Sequence, residues 1–137
     1  MRIGADYYPE HWEKERWKTD AEMMVKANIK VIRIGEFAWS LYEPEEGKYE
    51  FDWMDEALDF FGKYGIKVVM CTPSATPPKW MIDKYPDILQ NDIHGNPKLF
   101  GTRKHYCFNS ETYREKTKKL NTLIACLLYT SPSPRDS

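Results

Sequence analysis

The chain has 137 residues, of which 42% are hydrophobic, 30% charged and 15% aromatic. This is enough for one modest domain, and a disordered chain would be poor in aromatic residues. Twenty Lys and Arg oppose 21 Asp and Glu, for a formal net charge of -1. Because the chain has no global positive field, we predict that it binds neither nucleic acid nor an anionic membrane surface.

The amino-terminal residues predict a first strand, in the short run from Ile3 to Ala5. They contain no apolar signal core, and no apolar run approaches the roughly 20 residues of a membrane span. The three cysteines are odd in number and widely spaced, which favours a reducing compartment over a disulfide framework. We therefore predict a cytoplasmic protein.

A first helix is predicted by apolar residues at helical spacing, namely Trp17, Ala21, Met24 and Val25. Asn28 tolerates the left-handed conformation that ends many helices. The β-branched run from Val31 to Ile34 then predicts a strand that is covered on both faces.

The same pattern recurs 37 residues later in the sequence. Asp52 is the predicted cap of a second helix, whose inner face carries Met54, Ala57, Leu58 and Phe61. Gly65 would end this helix, and Val68 to Cys71 would form the third strand. The order β-α-β-α-β predicts an α/β protein with a parallel sheet.

A third helix is predicted to begin near Asn109 or Ser110 and to run through Tyr113, Leu120, Leu123, Ile124 and Leu127. From Cys126 onward the sequence ends in a Pro/Ser-rich stretch. One interpretation is a disordered tail. We favour another, in which residues 1–125 are native and residues 126–137 are non-native sequence, as from read-through into a linker or adapter.

Each strand-to-helix connection is long, at residues 6–12, 35–51 and 72–109, whereas the helix-to-strand connections have one or two residues. Functional sites of α/β proteins lie on loops at the carboxyl ends of strands, so we expect the site at this edge.

Residues 6–12, 33–39 and 103–109 mix aromatic rings with hydrogen-bonding groups. A sugar needs both, because its C–H faces pack on rings while its hydroxyls need fixed donors and acceptors.

Four strings closely resemble, in order and spacing, the amino-terminal part of the β-galactosidases of glycoside hydrolase family 42. They lie at residues 7–12, 33–40, 72–80 and 105–110. The resemblance implies about three βα units of a (β/α)8 TIM barrel, incomplete in this chain. It also implies cytoplasmic hydrolysis of terminal non-reducing β-D-galactose residues in β-D-galactosides, with retention of configuration, by a homotrimer.

The family places its acid/base after an Asn at the end of the fourth strand, and its nucleophile at the end of a later strand. Neither has a counterpart here, so we expect this chain alone to be inactive and assign no catalytic role to Glu36. Arg103 matches the family's arginine that binds galactose hydroxyls. Glu36 is expected either to organise Arg33 or Arg103 or to contact the sugar. The sequence does not decide whether four aromatic residues form a pocket wall, pack in the core or contact the sugar: Tyr7, His11, Phe37 and Trp39.

Cys107 matches one ligand of a four-cysteine zinc site found in some family members. The resemblance therefore implies that a zinc-containing full-length parent would use Cys107 as a ligand of a structural zinc, and we expect no cofactor in this chain, which lacks the partner cysteines. Two alternatives remain at this point. One is a non-catalytic carbohydrate-binding module, and the other is a related barrel glycosidase with another sugar specificity.

Overall fold

The computed structural model describes residues 2–130. Within this range three parallel strands form one sheet in the order β1-β2-β3, and they span Ile3–Asp6, Ile29–Ile34 and Lys67–Met70. The five α-helices of the same range are α1 Lys14–Lys26, α2 Trp39–Tyr42, α3 Asp52–Lys63, α4 Lys79–Lys84 and α5 Glu111–Thr130. The predicted α/β class and parallel sheet are confirmed.

The two helix ends predicted from residue type adopt the expected conformation. Asn28 has φ 58° and Gly65 has φ 71°, both in the left-handed region. The Asn28 N–H donates to the Val25 carbonyl at 3.0 Å, and the Gly65 N–H donates to the Gly62 carbonyl at 2.9 Å. Each turn satisfies a carbonyl at the end of its helix and redirects the chain into the next strand.

The buried faces of the helices agree with the predicted stripes, with two corrections. Trp17, Ala21 and Met24 are buried, but Val25 is 45% exposed. Val25 follows Met24 by one position, about 100° further round the helix, and so leaves the core-facing stripe. Asp52 is the first residue of α3, and no side chain donates or accepts a capping hydrogen bond there. All four residues predicted for the inner face of α3 are buried.

The two faces of the sheet differ in what covers them. Ile32 and Ile34 of β2 are fully buried on the side where α1 and α3 pack. Side chains alternate along a strand, so Arg33 points to the opposite face together with its register partners Asp6 and Val69. Val69 is half exposed, so within the described residues this second face is open.

The long strand-to-helix connections contain structure that the periodicity did not reveal. Helix α2 lies in the connection after β2, and α4 lies in the connection after β3. Beyond α4 the chain doubles back, with antiparallel bridges between Leu89 and Tyr106 and between Asn91 and Pro97. Helices of four and six residues are too short to show a period of 3.6 residues.

Helix α5 begins as predicted and continues past the predicted native boundary. Ser110 Oγ accepts the Tyr113 backbone N–H at 3.2 Å, which caps the helix. Residues 126–130 remain helical, and Leu128 packs against the core. Residues 131–137 lie outside the described range, so the non-native origin of residues 126–137 stays a prediction. No helix within residues 2–130 combines the length and apolarity needed to cross a bilayer.

Candidate functional site

A cleft of about 560 Å³ lies at the carboxyl edge of the sheet. Three chain segments build it: residues 36–40 after β2, residues 75–79 after β3, and residues 100–106 from the returning chain. Glu36 and Arg103, which the sequence analysis selected as site residues 67 positions apart, both line this cleft. The short helices and turns of the long connections therefore bring the two predicted residues together.

Glu36 is held by Arg33 and not by Arg103. Arg33 Nη2 donates to Glu36 Oε2 at 3.0 Å and to Asp6 Oδ2 at 3.0 Å, while Arg33 Nε donates to Asp6 Oδ1 at 2.8 Å. The hydrogen bonds from Arg33 to Asp6, followed by the charges of Asp6 and Glu36, raise the pKa of the guanidinium. Of the two arginines that Glu36 was predicted to organise, it therefore binds Arg33, which also binds Asp6 at the end of β1.

Arg103 has no hydrogen bond or ion pair with any other residue of the described range 2–130. Its guanidinium therefore keeps all five N–H donors available to a ligand. Glu36 Oε1 is also unbonded within that range, because only Oε2 meets Arg33. The cleft consequently offers guanidinium donors from one segment and a carboxyl acceptor from another.

The four aromatic candidates separate into core and site. Tyr7 is buried and its hydroxyl donates to Asp20 at 2.8 Å, and Trp39 is fully buried in the core. His11 is exposed and stacks on Tyr8 with ring centroids 5.3 Å apart, outside the cleft lining. Phe37 is the one of the four that lines the cleft.

Two buried polar residues of this region were missed by the sequence analysis. Glu43 is 3% exposed, and its carboxyl oxygens accept the Trp39 indole N–H at 3.0 Å and the Gly47 amide N–H at 2.9 Å. Its backbone carbonyl accepts the Trp80 indole N–H at 2.9 Å. His105 is also 3% exposed and lines the cleft. No local signal distinguishes Glu43 from Glu45 and Glu46 in the same acidic stretch. His105, in contrast, is the first residue of the string at 105–110 that resembles the family.

Glu10 resembles a general acid in one respect but does not lie in the cleft. Both of its carboxyl oxygens are shielded from solvent and lack a hydrogen-bond partner within residues 2–130, and burial raises the pKa of this carboxyl. A raised pKa suits a proton donor. Because Glu10 is absent from the lining of the cleft, the geometry gives it no access to a ligand there.

The cysteines do not assemble a metal centre within the described range. Cys107 and Cys71 are partly buried and Cys126 is exposed, and no disulfide joins any two of these three residues. Residues 2–130 contain no group of three or more His, Cys, Asp or Glu side chains placed to hold a metal ion. A closed structural zinc site needs four ligands, so these residues alone do not fit one.

Comparison with known proteins places the chain in a family. The profile of β-galactosidases of glycoside hydrolase family 42 matches residues 6–133. The β-galactosidase of Thermus thermophilus is 54% identical over 123 residues, which are 90% of this chain and 19% of that protein. A β-galactosidase of Haloferax lucentense is 48% identical over 124 residues, again 90% of this chain and 19% of the relative.

Solved structures agree with this result. The polyextremophilic β-galactosidase of Halorubrum lacusprofundi superposes with a TM-score of 0.91 at 44% identity, covering 96% of this chain and 20% of that one. The cold-adapted β-galactosidase of Rahnella sp. R3 gives 0.92 at 41% identity, covering 97% and 20%. This chain thus spans about a fifth of the length of its relatives, and its three βα units form part of an α/β barrel. By sequence and by fold, the chain belongs to glycoside hydrolase family 42, the β-galactosidases.

Proposed function

We propose that this chain supplies the first βα units, and one side of the sugar pocket, of an enzyme that hydrolyses terminal non-reducing β-D-galactosides with retention of configuration. The observation that carries the proposal is the cleft that unites Glu36 and Arg103 at the carboxyl edge of the sheet. Its relatives of 48% and 54% identity are named β-galactosidases.

The chemistry of the cleft suits a neutral polyhydroxylated ligand. Arg103 offers N–H donors, Glu36 Oε1 offers an acceptor, and the rings of Phe37 and Phe100 supply apolar surface in the same cleft. A hexopyranose presents hydroxyls that both donate and accept, together with C–H faces that pack on aromatic rings. We assign Arg103 and, secondarily, Glu36 to binding of the galactosyl hydroxyls.

The two catalytic carboxyl groups are proposed to come from parts of the full-length enzyme outside this chain. Retaining hydrolysis needs a proton donor and a nucleophile about 5 Å apart. Asp6 and Glu36 lie close together but share one guanidinium, Arg33. Because both carboxylates bind this guanidinium, we assign them to positioning Arg33 and place the proton donor and the nucleophile elsewhere in the full-length enzyme.

Further properties of the full-length enzyme follow as proposals from family membership. We propose a homotrimer, a cytoplasmic location, and a structural zinc for which Cys107 is one of four thiolate ligands. The metal proposal is tested by the zinc content of the full-length enzyme with and without Cys107→Ser. Equal zinc content in the two proteins would remove Cys107 from the ligand set.

A chimaera tests the proposed activity. Residues 6–125 of this chain replace the matching segment of the Thermus thermophilus β-galactosidase, to which the chain is 54% identical. We expect the purified chimaera to hydrolyse para-nitrophenyl β-D-galactopyranoside in preference to the β-D-glucoside, and to release β-galactose first. The 137-residue chain alone is expected to hydrolyse neither substrate.

Substitution of Arg103 tests the pocket inside the chimaera. Arg103→Ala removes charge-assisted hydrogen bonds worth about 1.5–3 kcal/mol each. Two such bonds correspond to a fall in kcat/KM of about a hundredfold or more. Lys79→Ala is the matched control, because Lys79 lines the same cleft but its ammonium group pairs with Asp83. A folded chimaera that is inactive or prefers another glycoside would contradict the activity, and galactose binding by the chain alone would favour a binding module.

A further inference from the structure

The turn that carries Arg103 has an unusual backbone. Gly101 and Lys104 both adopt left-handed conformations, with φ 88° and φ 54°. Glycine does so freely, whereas a left-handed lysine costs about 1–2 kcal/mol. Such strain persists only where surrounding contacts impose the conformation.

The contacts that impose this turn come from two residues. Thr102 Oγ1 donates to the Leu99 carbonyl at 2.8 Å. The Thr102 carbonyl in turn lies 2.8 Å from Nδ1 of His105, whose own carbonyl accepts the Gln90 N–H at 2.7 Å. His105 therefore binds the peptide immediately before Arg103 through its imidazole and the segment at Gln90 through its backbone carbonyl.

The hydrogen bond to Thr102 indicates which ring nitrogen of His105 carries a proton. A carbonyl oxygen only accepts, so Nδ1 of His105 carries the proton and donates to Thr102. The ring meets Phe100 edge-on with centroids 5.7 Å apart, and Tyr106 in the same manner at 6.0 Å. Nε2 is shielded from solvent and has no hydrogen-bond partner within residues 2–130. The ring thus acts on the turn through Nδ1, not on a ligand through Nε2.

We propose that His105 is a positioning residue, which holds the Thr102–Arg103 peptide so that the Arg103 guanidinium meets the galactosyl hydroxyls in a fixed orientation. This inference rests on the proposed binding role of Arg103. Its physical basis is that the long Arg side chain starts from a Cα whose place is set by one turn. A displacement of about 1 Å in a group that binds substrate reduces turnover by up to about a hundredfold.

Two substitutions of His105 by amide residues distinguish the roles of its two ring nitrogens in the chimaeric enzyme. In His105→Asn the side-chain amide can occupy the place of Nδ1 and still donate to Thr102. In His105→Gln the amide reaches the place of Nε2 and leaves the Thr102 carbonyl without its donor. With para-nitrophenyl β-D-galactopyranoside, we expect kcat/KM to fall less than about threefold for Asn and on the order of tenfold for Gln.

The same substitution in an Arg103→Ala background distinguishes positioning from general damage to the fold. If His105 acts through Arg103, His105→Gln has no further effect on kcat/KM once Arg103 is Ala. A structural defect would lower activity by the same factor in both backgrounds, and that result would overturn the proposal. Rescue by Gln but not by Asn would overturn it too, because it would assign the role to Nε2.

The outcomes also separate this inference from the proposed function. If Arg103→Ala impairs galactoside hydrolysis while His105→Gln is harmless, only the positioning role fails. If Arg103→Ala itself is harmless in a folded and active chimaera, both the pocket assignment and the positioning role fail. Circular dichroism and the thermal midpoint confirm that each variant is folded.

Discussion

Glu43 is expected to be the polar residue whose loss most loosens the wall of the cleft, and Glu43→Ala tests this. The side chain is 3% exposed and binds the indole of Trp39 and the amide of Gly47, while its carbonyl holds the indole of Trp80. The carboxyl contacts join α2 to the loop after it, and the backbone carbonyl, which the substitution leaves in place, joins this segment to α4. Ser40 of α2 and Lys79 of α4 line the cleft.

The magnitude follows from what the alanine leaves behind. Trp39 is fully buried, so its indole N–H would lose its acceptor without gaining water, at about 1–3 kcal/mol. Gly47 is exposed, so its amide turns to water and loses only the net value of a hydrogen bond, about 1 kcal/mol. We expect a loss of about 2–4 kcal/mol in the free energy of unfolding, which is a large part of the stability of a small domain.

Urea denaturation of the 137-residue chain, followed by circular dichroism and tryptophan fluorescence, measures this loss. Glu45→Ala is the matched control, because Glu45 forms an exposed ion pair with Lys48 in the same loop. Such pairs contribute less than about 1 kcal/mol. A Glu43→Ala chain as stable as Glu45→Ala, with an unchanged dependence on urea, would refute the reasoning.

Three further predictions concern other parts of the chain. The hydrogen bonds from Lys116, then from Lys84 and Tyr85, lower the pKa of Glu46 to about 2 from 4.5. The ionised carboxylate of Glu46 therefore contributes its full stabilisation above about pH 4.5, and this stabilisation is lost as the pH falls towards 2. In Glu46→Gln we expect the urea concentration at the unfolding midpoint to change less between pH 5 and pH 2.5 than in the unsubstituted chain, and an equal change in the two proteins would contradict this. Lys104→Gly is expected to preserve or raise stability by up to about 1 kcal/mol, whereas Lys104→Val lowers it by more than that, and a stable Val variant would remove the argument from strain. Phe61→Ala, at the centre of the aromatic core, should cost about 3–5 kcal/mol in the same urea assay, and a cost below about 1 kcal/mol would show that the core is loosely packed.

The sheet and its helices could be predicted because their signals are local. Asn28 and Gly65 each mark a helix end by their tolerance of a left-handed backbone, and both adopt it. The apolar stripe of α3 repeats at helical spacing and is buried as predicted. In such segments residue type, spacing and burial all favour the same structure, and for this reason the structure can be predicted from a short stretch of sequence.

The arrangement of the cleft could be predicted only in part because its signals are not local. Glu43 differs from its neighbours Glu45 and Glu46 through its buried contacts. Its carboxyl group binds Trp39 and Gly47, and its backbone carbonyl binds Trp80, which lies 37 positions away. Lys104 carries no residue-type signal for a left-handed backbone, since Asn, Asp and Gly are the usual occupants. That conformation is imposed by contacts on either side of it.

The lining of the cleft carries one carboxylate, Glu36, and three cationic side chains, Lys79, Arg103 and Lys104. Glu36 is oriented by Arg33 through Oε2, and Oε1 stays available within the described residues. Arg103 lines the same cleft with its donors unused within that range. A sugar hydroxyl can accept a hydrogen bond from the Arg103 guanidinium, and another can donate one to the Glu36 carboxylate. A neutral polyhydroxylated ligand can therefore bind to both groups without carrying a charge of its own.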